Sequence, residues 1–174
     1  MKIAGHVVLL REMGSGKTSV GEAIAARLGR PLVDSDSIIE ASQGVTGAVI
    51  AAERGVSHLH ALEREALIEA LASSSPTVIA AAASVVDDPG VRSMLADRLC
   101  VWLTAHPEAI TARISGQTHR RSLADDERDI IDRRRPLLQQ LASVEFDTTS
   151  TTPSQVAKAI VSWLESGGSS GLIE

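Results

Sequence analysis

Tyrosine is absent from the 174-residue chain, phenylalanine occurs once and tryptophan twice, so aromatic side chains make up only 2% of it. Stacking successive bases of a nucleic acid needs aromatic platforms, and gripping its phosphates needs clustered Lys and Arg. With a formal charge of −5 and so few rings, a nucleic-acid binder is not expected. Cysteine is nearly absent as well. The single Cys100 stands in the apolar run Leu99-Cys-Val-Trp-Leu103. It leaves no disulfide framework within the chain and suits a reducing compartment, the cytoplasm. No apolar run approaches the roughly 20 residues that cross a bilayer. The opening Met1-Lys-Ile-Ala-Gly-His-Val-Val-Leu-Leu lacks a small-residue cleavage site and reads as a first strand. A membrane protein is therefore not expected either.

What the chain does contain is aliphatic: 44% of it is hydrophobic, enough at this length for one compact α/β domain with a proper core. Short apolar runs alternate with longer helical patterns, as βαβ units and a parallel sheet require. Five strands are expected, at His6 to Leu10, Pro31 to Val33, Thr77 to Ala82, Leu99 to Leu103 and Val144 to Asp147. Val20, Ile24 and Leu28 recur at helical spacing, and Gly29 follows as a C-terminal cap. Thr152, Pro153 and Gln155 spell a capping box with Pro at the first helical position. After it, Val156, Ala159, Ile160, Trp163 and Leu164 share one face of a last helix. The domain is expected over 1–165, with a mobile, polar loop at about 115–127 and a flexible tail over 166–174 that begins Ser166-Gly-Gly-Ser-Ser-Gly171.

Directly after the first strand comes Gly14-Ser15-Gly16-Lys17-Thr18, opening a helix. This is the context of a phosphate-binding loop. Glycines let backbone N–H groups curl around phosphate oxygens, Lys17 brings a point charge to the β and γ phosphates, and Thr18 offers a hydroxyl to Mg²⁺. The full pattern G-x-x-x-x-G-K-[ST] would begin with glycine where Arg11 stands, so strain or a tilted loop is expected there. The structural alternative, in which Gly14 and Gly16 merely form a tight strand-to-helix turn and Lys17 is a solvated first-turn residue, leaves the whole Gly-Ser-Gly-Lys-Thr run in this context hard to explain without phosphate.

At the end of the second strand, Asp34-Ser35-Asp36 lies where a parallel sheet presents its ligand-binding edge. One carboxylate suits a metal ion and the other an attacking hydroxyl. Capping of a helix at Ser37 to Ser42 by Asp34 or Ser35 is the structural alternative, compatible with both roles. Seven arginines, Arg113, Arg120, Arg121, Arg128, Arg133, Arg134 and Arg135, follow later in the chain. Most are expected on solvated faces. Phosphoryl transfer needs cations over the triphosphate, and Arg120 in the polar loop and Arg134 beside an expected break at Pro136 are the choices. His58, His60 and His119 do not share a metal-site spacing.

In this order of elements the chain resembles the shikimate kinase family over nearly its whole length. Gly14 to Ser19 looks like the family's nucleotide loop, and Leu32-Val-Asp34-Ser-Asp36-Ser-Ile-Ile-Glu40 like its F-x-D-x-D-x-x-I-E segment. Gly55 to Glu63, Pro89-Gly-Val-Arg92 and Asp147-Thr148 also fall where the family has similar elements. The resemblance implies a P-loop kinase fold: a five-stranded parallel sheet flanked by helices, with a lid and a small substrate-binding subdomain. It implies an ATP-dependent, Mg²⁺-assisted transfer of the γ-phosphoryl group to a hydroxyl of a small molecule. ATP would be bound by Gly14, Ser15, Gly16, Lys17, Thr18, Ser19, the adenine-stacking Arg113 and the lid's Arg120. Mg²⁺ would lie at Thr18 and Asp34. Lys17, Asp36 and Arg120 would be catalytic, and Asp36, His60 and Arg134 would hold the acceptor, Arg134 gripping its carboxylate. A monomer is expected.

The departures from the family pattern fall mostly in the acceptor pocket. A Phe-Arg pair is replaced by Leu59-His60, and a histidine with a reference pKa of about 6.5 is no equivalent of a permanently charged guanidinium. Gly-Gly-Gly after the third strand is replaced by Ala82-Ala83-Ser84, and the lid's Arg-Pro-Leu-Leu by Arg120-Arg121-Ser122-Leu123. Two further readings therefore stand beside a shikimate kinase-like enzyme: a kinase for another small polyol or sugar acid, and a nucleotide-binding paralogue that transfers nothing. A nucleoside monophosphate kinase would share the loop and the lid but has no base-recognition element in the middle of the chain.

Overall fold

A computed structural model of the chain describes residues 5–11, 17–106, 109 and 125–168. All five expected strands form: β1 (Val7–Arg11), β2 (Leu32–Asp34), β3 (Val78–Ala80), β4 (Leu99–Thr104) and β5 (Val144–Asp147). They make one sheet in the order β2-β3-β1-β4-β5, every pairing parallel. The helices are α1 (Lys17–Leu28), α2 (Ser35–Gln43), α3 (Gly47–Arg54), α4 (Val56–Leu71), α5 (Pro89–Leu95), α6 (Asp125–Leu141) and α7 (Pro153–Glu165), with a 3₁₀ turn at Ala83–Asp87.

Successive residues of a strand face opposite sides of the sheet, and β1, in the middle, supplies both cores. Val7 and Leu9 point into a cluster with Val20 and Ile24 of α1 and Val156, Ile160 and Trp163 of α7. Val8 and Leu10 point the other way, to Leu67 and Leu71 of α4, Val85 and Val86 of the turn, Leu95 of α5 and Leu138 of α6. Such two-sided burial is why β1 reads as a continuous apolar run rather than an alternating one.

The helix ends follow local chemistry. Gly29 takes φ +62° after α1, and Arg30 N–H closes the helix on the Ala25 carbonyl at 3.0 Å. Thr152 and Gln155 form the expected capping box of α7. The other end of α7 is tied down as well: Gly167 N–H and Gly168 N–H donate to the Leu164 and Trp163 carbonyls at 3.3 and 3.1 Å. These bonds involve only the first residues of the tail expected from Ser166, and 169–174 lie outside the described residues. One expectation is corrected. The helix carrying Arg134 does not break at Pro136 but runs through it to Leu141, giving up only the donor that proline lacks. Arg11 itself is the extended last residue of β1, paired with Leu103, and among the described residues none but glycine has positive φ; the loop expected to be strained or tilted, 12–16, lies outside the described residues.

Candidate active site

Parallel strands end at one edge of the sheet, and the described site residues gather there. β1 ends at Arg11 and α1 begins at Lys17, the strand-to-helix step a phosphate loop needs. Gly14, Ser15 and Gly16 lie outside the described residues, as does the side chain of Lys17. Thr18 and Ser19 occupy the exposed first turn of α1. The Thr18 hydroxyl donates to Asp34 Oδ2 at 3.0 Å. Asp34, buried at the end of β2, uses Oδ1 to accept the Asp36 N–H at 3.0 Å and so caps α2, which begins two residues earlier than expected. The Ser35 hydroxyl donates to the Ala80 carbonyl at 3.2 Å, tying the end of β2 to β3. The cap and the bond to Thr18 coexist, since each uses a different oxygen of Asp34. A hydroxyl and a carboxylate fixed side by side are hard oxygen donors of the kind Mg²⁺ takes.

Asp36 projects from the first turn of α2, more than half exposed, and its Oδ2 lies 4.0 Å from an Arg11 nitrogen. The residue in place of the expected glycine thus brings a guanidinium to the carboxylate expected to orient the acceptor.

A second cluster surrounds the 3₁₀ turn after β3, against which α4 and α6 pack. Arg134, from α6, donates Nε to both oxygens of Asp87 at 3.1 Å and Nη2 to Oδ2 at 2.7 Å. This is a side-on, bidentate pair, with the arginine side chain 11% exposed and the aspartate 31%. Burial raises the Asp87 carboxyl, but hydrogen bonding to Arg134, its charge, and smaller attraction from Arg133 and His60 outweigh it and hold the group below its ordinary 3.8. His60, half-buried on α4, therefore lies within electrostatic reach of this aspartate. One turn further along α4, Glu63 accepts a hydrogen bond from the Ser84 hydroxyl, both residues buried. Arg92 Nη1 clamps the Val86 and Asp87 carbonyls at 2.7 and 3.1 Å. Ala82 is buried, Ala83 is half-buried at the start of the turn, and the buried Ser84 finds a partner in Glu63.

Of the sequence-derived site, the structure joins Thr18 to Asp34 and draws His60 and Arg134 to the same turn. Arg113 and Arg120 lie outside the described residues, as does most of the loop at 115–127; its residues 125–127 belong to the start of α6. Sequence reasoning missed Asp87 and the Ser84–Glu63 pair. The pair Asp87-Asp88 before Pro89 carries a visible signal: only one acid is needed to cap α5, and Asp88 does so through the Gly90 and Val91 N–H groups.

The sequence profile of shikimate kinase matches residues 13–165. This chain belongs to the shikimate kinase family. It is 33% identical to the shikimate kinase of Symbiobacterium thermophilum over 95% of its own length and 99% of the relative's. With the shikimate kinase of Thermobifida fusca it shares 35% identity over 92% and 95%. Among solved structures, the shikimate kinase of Acinetobacter baumannii in complex with shikimate has a similar fold, with a TM-score of 0.83, 24% identity and 97% of each chain covered. As a member of the shikimate kinase family, the chain is an ATP-dependent phosphotransferase of shikimate kinase type.

Proposed function

We propose that this kinase moves the γ-phosphoryl group of ATP to a hydroxyl of a small, shikimate-like acceptor held at the C-terminal edge of the sheet, with Mg²⁺ at Thr18 and Asp34. The supporting observation is the Thr18–Asp34 hydrogen bond of 3.0 Å, which joins the first turn of α1 to the end of β2 and leaves Asp36 two residues beyond. The ion, when bound, neutralises charge on the triphosphate. The chain's own residues do the rest. The glycines at 14 and 16 bring backbone N–H groups to the phosphates, Lys17 and Arg120 spread the charge that develops on the transferred group, and Arg113 stacks on adenine. Asp36 accepts a hydrogen bond from the attacking hydroxyl and sets its line of approach, with the carboxylate's second oxygen steadied by Arg11. His60 and Arg134 form the far wall of the acceptor pocket.

Residues 1–165 are read as one domain acting as a monomer. The lone, buried Cys100, whose thiol burial pushes up to about 12, suits the cytoplasm. Among the described residues no helix is long and apolar enough to cross a membrane.

ADP release from ATP and Mg²⁺ should rise above the hydrolysis background when a hydroxylated acceptor is added. A panel of shikimate, its neutral derivatives and simple polyols tests this. Release that no acceptor stimulates, in a protein that still binds nucleotide, would reduce it to a binding module.

A further inference from the structure

We propose that Asp87 is the specificity-determining residue of the acceptor pocket, an internal counter-anion that takes the place of an acceptor carboxylate on Arg134, so that the preferred acceptor is a neutral polyol. The inference rests on the reading of the Arg134 and His60 wall as part of that pocket.

A planar guanidinium recognises a carboxylate best along an edge that offers two parallel N–H donors. On Arg134 the Nε–Nη2 edge is already filled by Asp87, at 2.7 to 3.1 Å. Little freedom remains to vacate it. Arg134 is nearly buried, and the backbone that carries Asp87 is fixed by Arg92 on its carbonyls and by the Ser84–Glu63 bond one turn earlier. An incoming carboxylate would therefore meet a neutralised arginine and, beside it, a like charge that stays ionised at neutral pH. The other basic group in reach, His60, is not a permanent cation and has Asp87 to attract it. A hydroxyl, in contrast, can donate to the Asp87 oxygens. The same carboxylate that repels an acid is a good partner for a polyol, and its 31% exposure leaves room for that bond.

The test uses two acceptors with identical hydroxyls, shikimate and its methyl ester, titrated calorimetrically into the full chain with Mg²⁺ and a non-hydrolysable ATP analogue. The wild-type protein should bind the ester at least as tightly as the acid, a comparison that needs no variant. In Asp87→Asn, which keeps a hydrogen-bond acceptor on Arg134 and removes the charge, shikimate affinity should rise about tenfold while the ester changes less than about twofold. A wild-type preference for the acid overturns the proposal. So does an Asp87→Asn protein, folded by its melting curve, that gains no affinity for shikimate. The phosphotransfer reading stands or falls separately, on acceptor-stimulated ADP release: release without an effect of Asp87 on affinity would leave the enzyme and remove this pocket chemistry.

Discussion

The proposed nucleotide edge and the proposed acceptor wall of this kinase are built in opposite ways. Where β1 and β2 give way to helices, Thr18 and Asp34 bond to each other while the second Asp34 oxygen caps α2, and in the function proposed above Mg²⁺ and phosphates would complete this edge. At the acceptor wall Arg134 is satisfied from within the chain by Asp87, and Asp36 is approached by Arg11. One region keeps the general chemistry of the family open. The other has answered its own charges, which on the proposal above narrows what can be bound there. Substrate choice in such a fold could change at Asp87 and Arg134 without touching Thr18 and Asp34, because the first pair belongs to the turn after β3 and to α6 and the second to the ends of β1 and β2.

The largest expected effect lies on the nucleotide side. Replacing Lys17 by Ala should lower kcat by about 10³-fold or more, since the cation acts on charge that develops in transfer, with the melting temperature unchanged. Turnover that survives would erase the contrast between the two regions. Asp34 allows a finer cut. Asp34→Asn keeps an oxygen for the Asp36 N–H, hence the cap of α2, but should weaken Mg²⁺-dependent nucleotide binding by roughly ten- to a hundredfold. Asp34→Ala should show the same loss and also unfold at lower denaturant, by about 1 kcal/mol. Equal stability of the two variants would mean that the cap contributes nothing.

These two regions also differ in how far they could be read from the order of residues alone. The phosphate loop, the Asp34 to Asp36 segment and the five strands are local patterns, in which the partners sit a few residues apart or recur with a fixed period. Asp34 and Thr18 are 16 residues apart and their roles are still deducible, because strand and helix must meet at the sheet edge. Arg134 and Asp87 are 47 residues apart, on elements whose relative placement only the packed fold decides. A charge census sees one more arginine on a polar helix and one more acid before a proline. The same limit explains Arg11: judged by motif it interrupts a glycine position, whereas in the sheet it is an ordinary strand residue whose side chain reaches across to α2.

Gly55 provides a way to disturb the acceptor side from a distance. It joins α3 to α4 at φ +90° and ψ 152°, a conformation open essentially to glycine alone, and a Cβ there would meet nothing within 4 Å. Gly55→Ala should therefore cost about 1–3 kcal/mol through backbone strain alone, read as a lower denaturation midpoint at unchanged m. Because α4 carries His60 and Glu63, acceptor affinity should suffer more than nucleotide affinity. Thr152→Ala is the matched control on α7, remote from the acceptor wall. Loss of its capping box should cost about 1 kcal/mol, roughly 2–4 °C in Tm, and leave the affinities for both ligands where they were.

The smallest effect tests the counter-anion by pH. Asp87 titrates below its ordinary 3.8 in the folded chain, so its pairing with Arg134 adds stability that is fully present above about that pH and is lost as pH falls through the lower, folded value. With 31% of the aspartate side chain exposed, screening holds this contribution to about 0.5 kcal/mol. Wild type should therefore exceed Asp87→Asn in stability at pH 7, and the gap should close on acidification below pH 3.8, where the protonated aspartate becomes the electrical equal of asparagine. A gap that stays constant into acid would show that shape rather than charge distinguishes the two side chains. The acceptor wall would then owe its selectivity to packing around Arg134, and its contrast with the nucleotide edge would be steric rather than electrostatic.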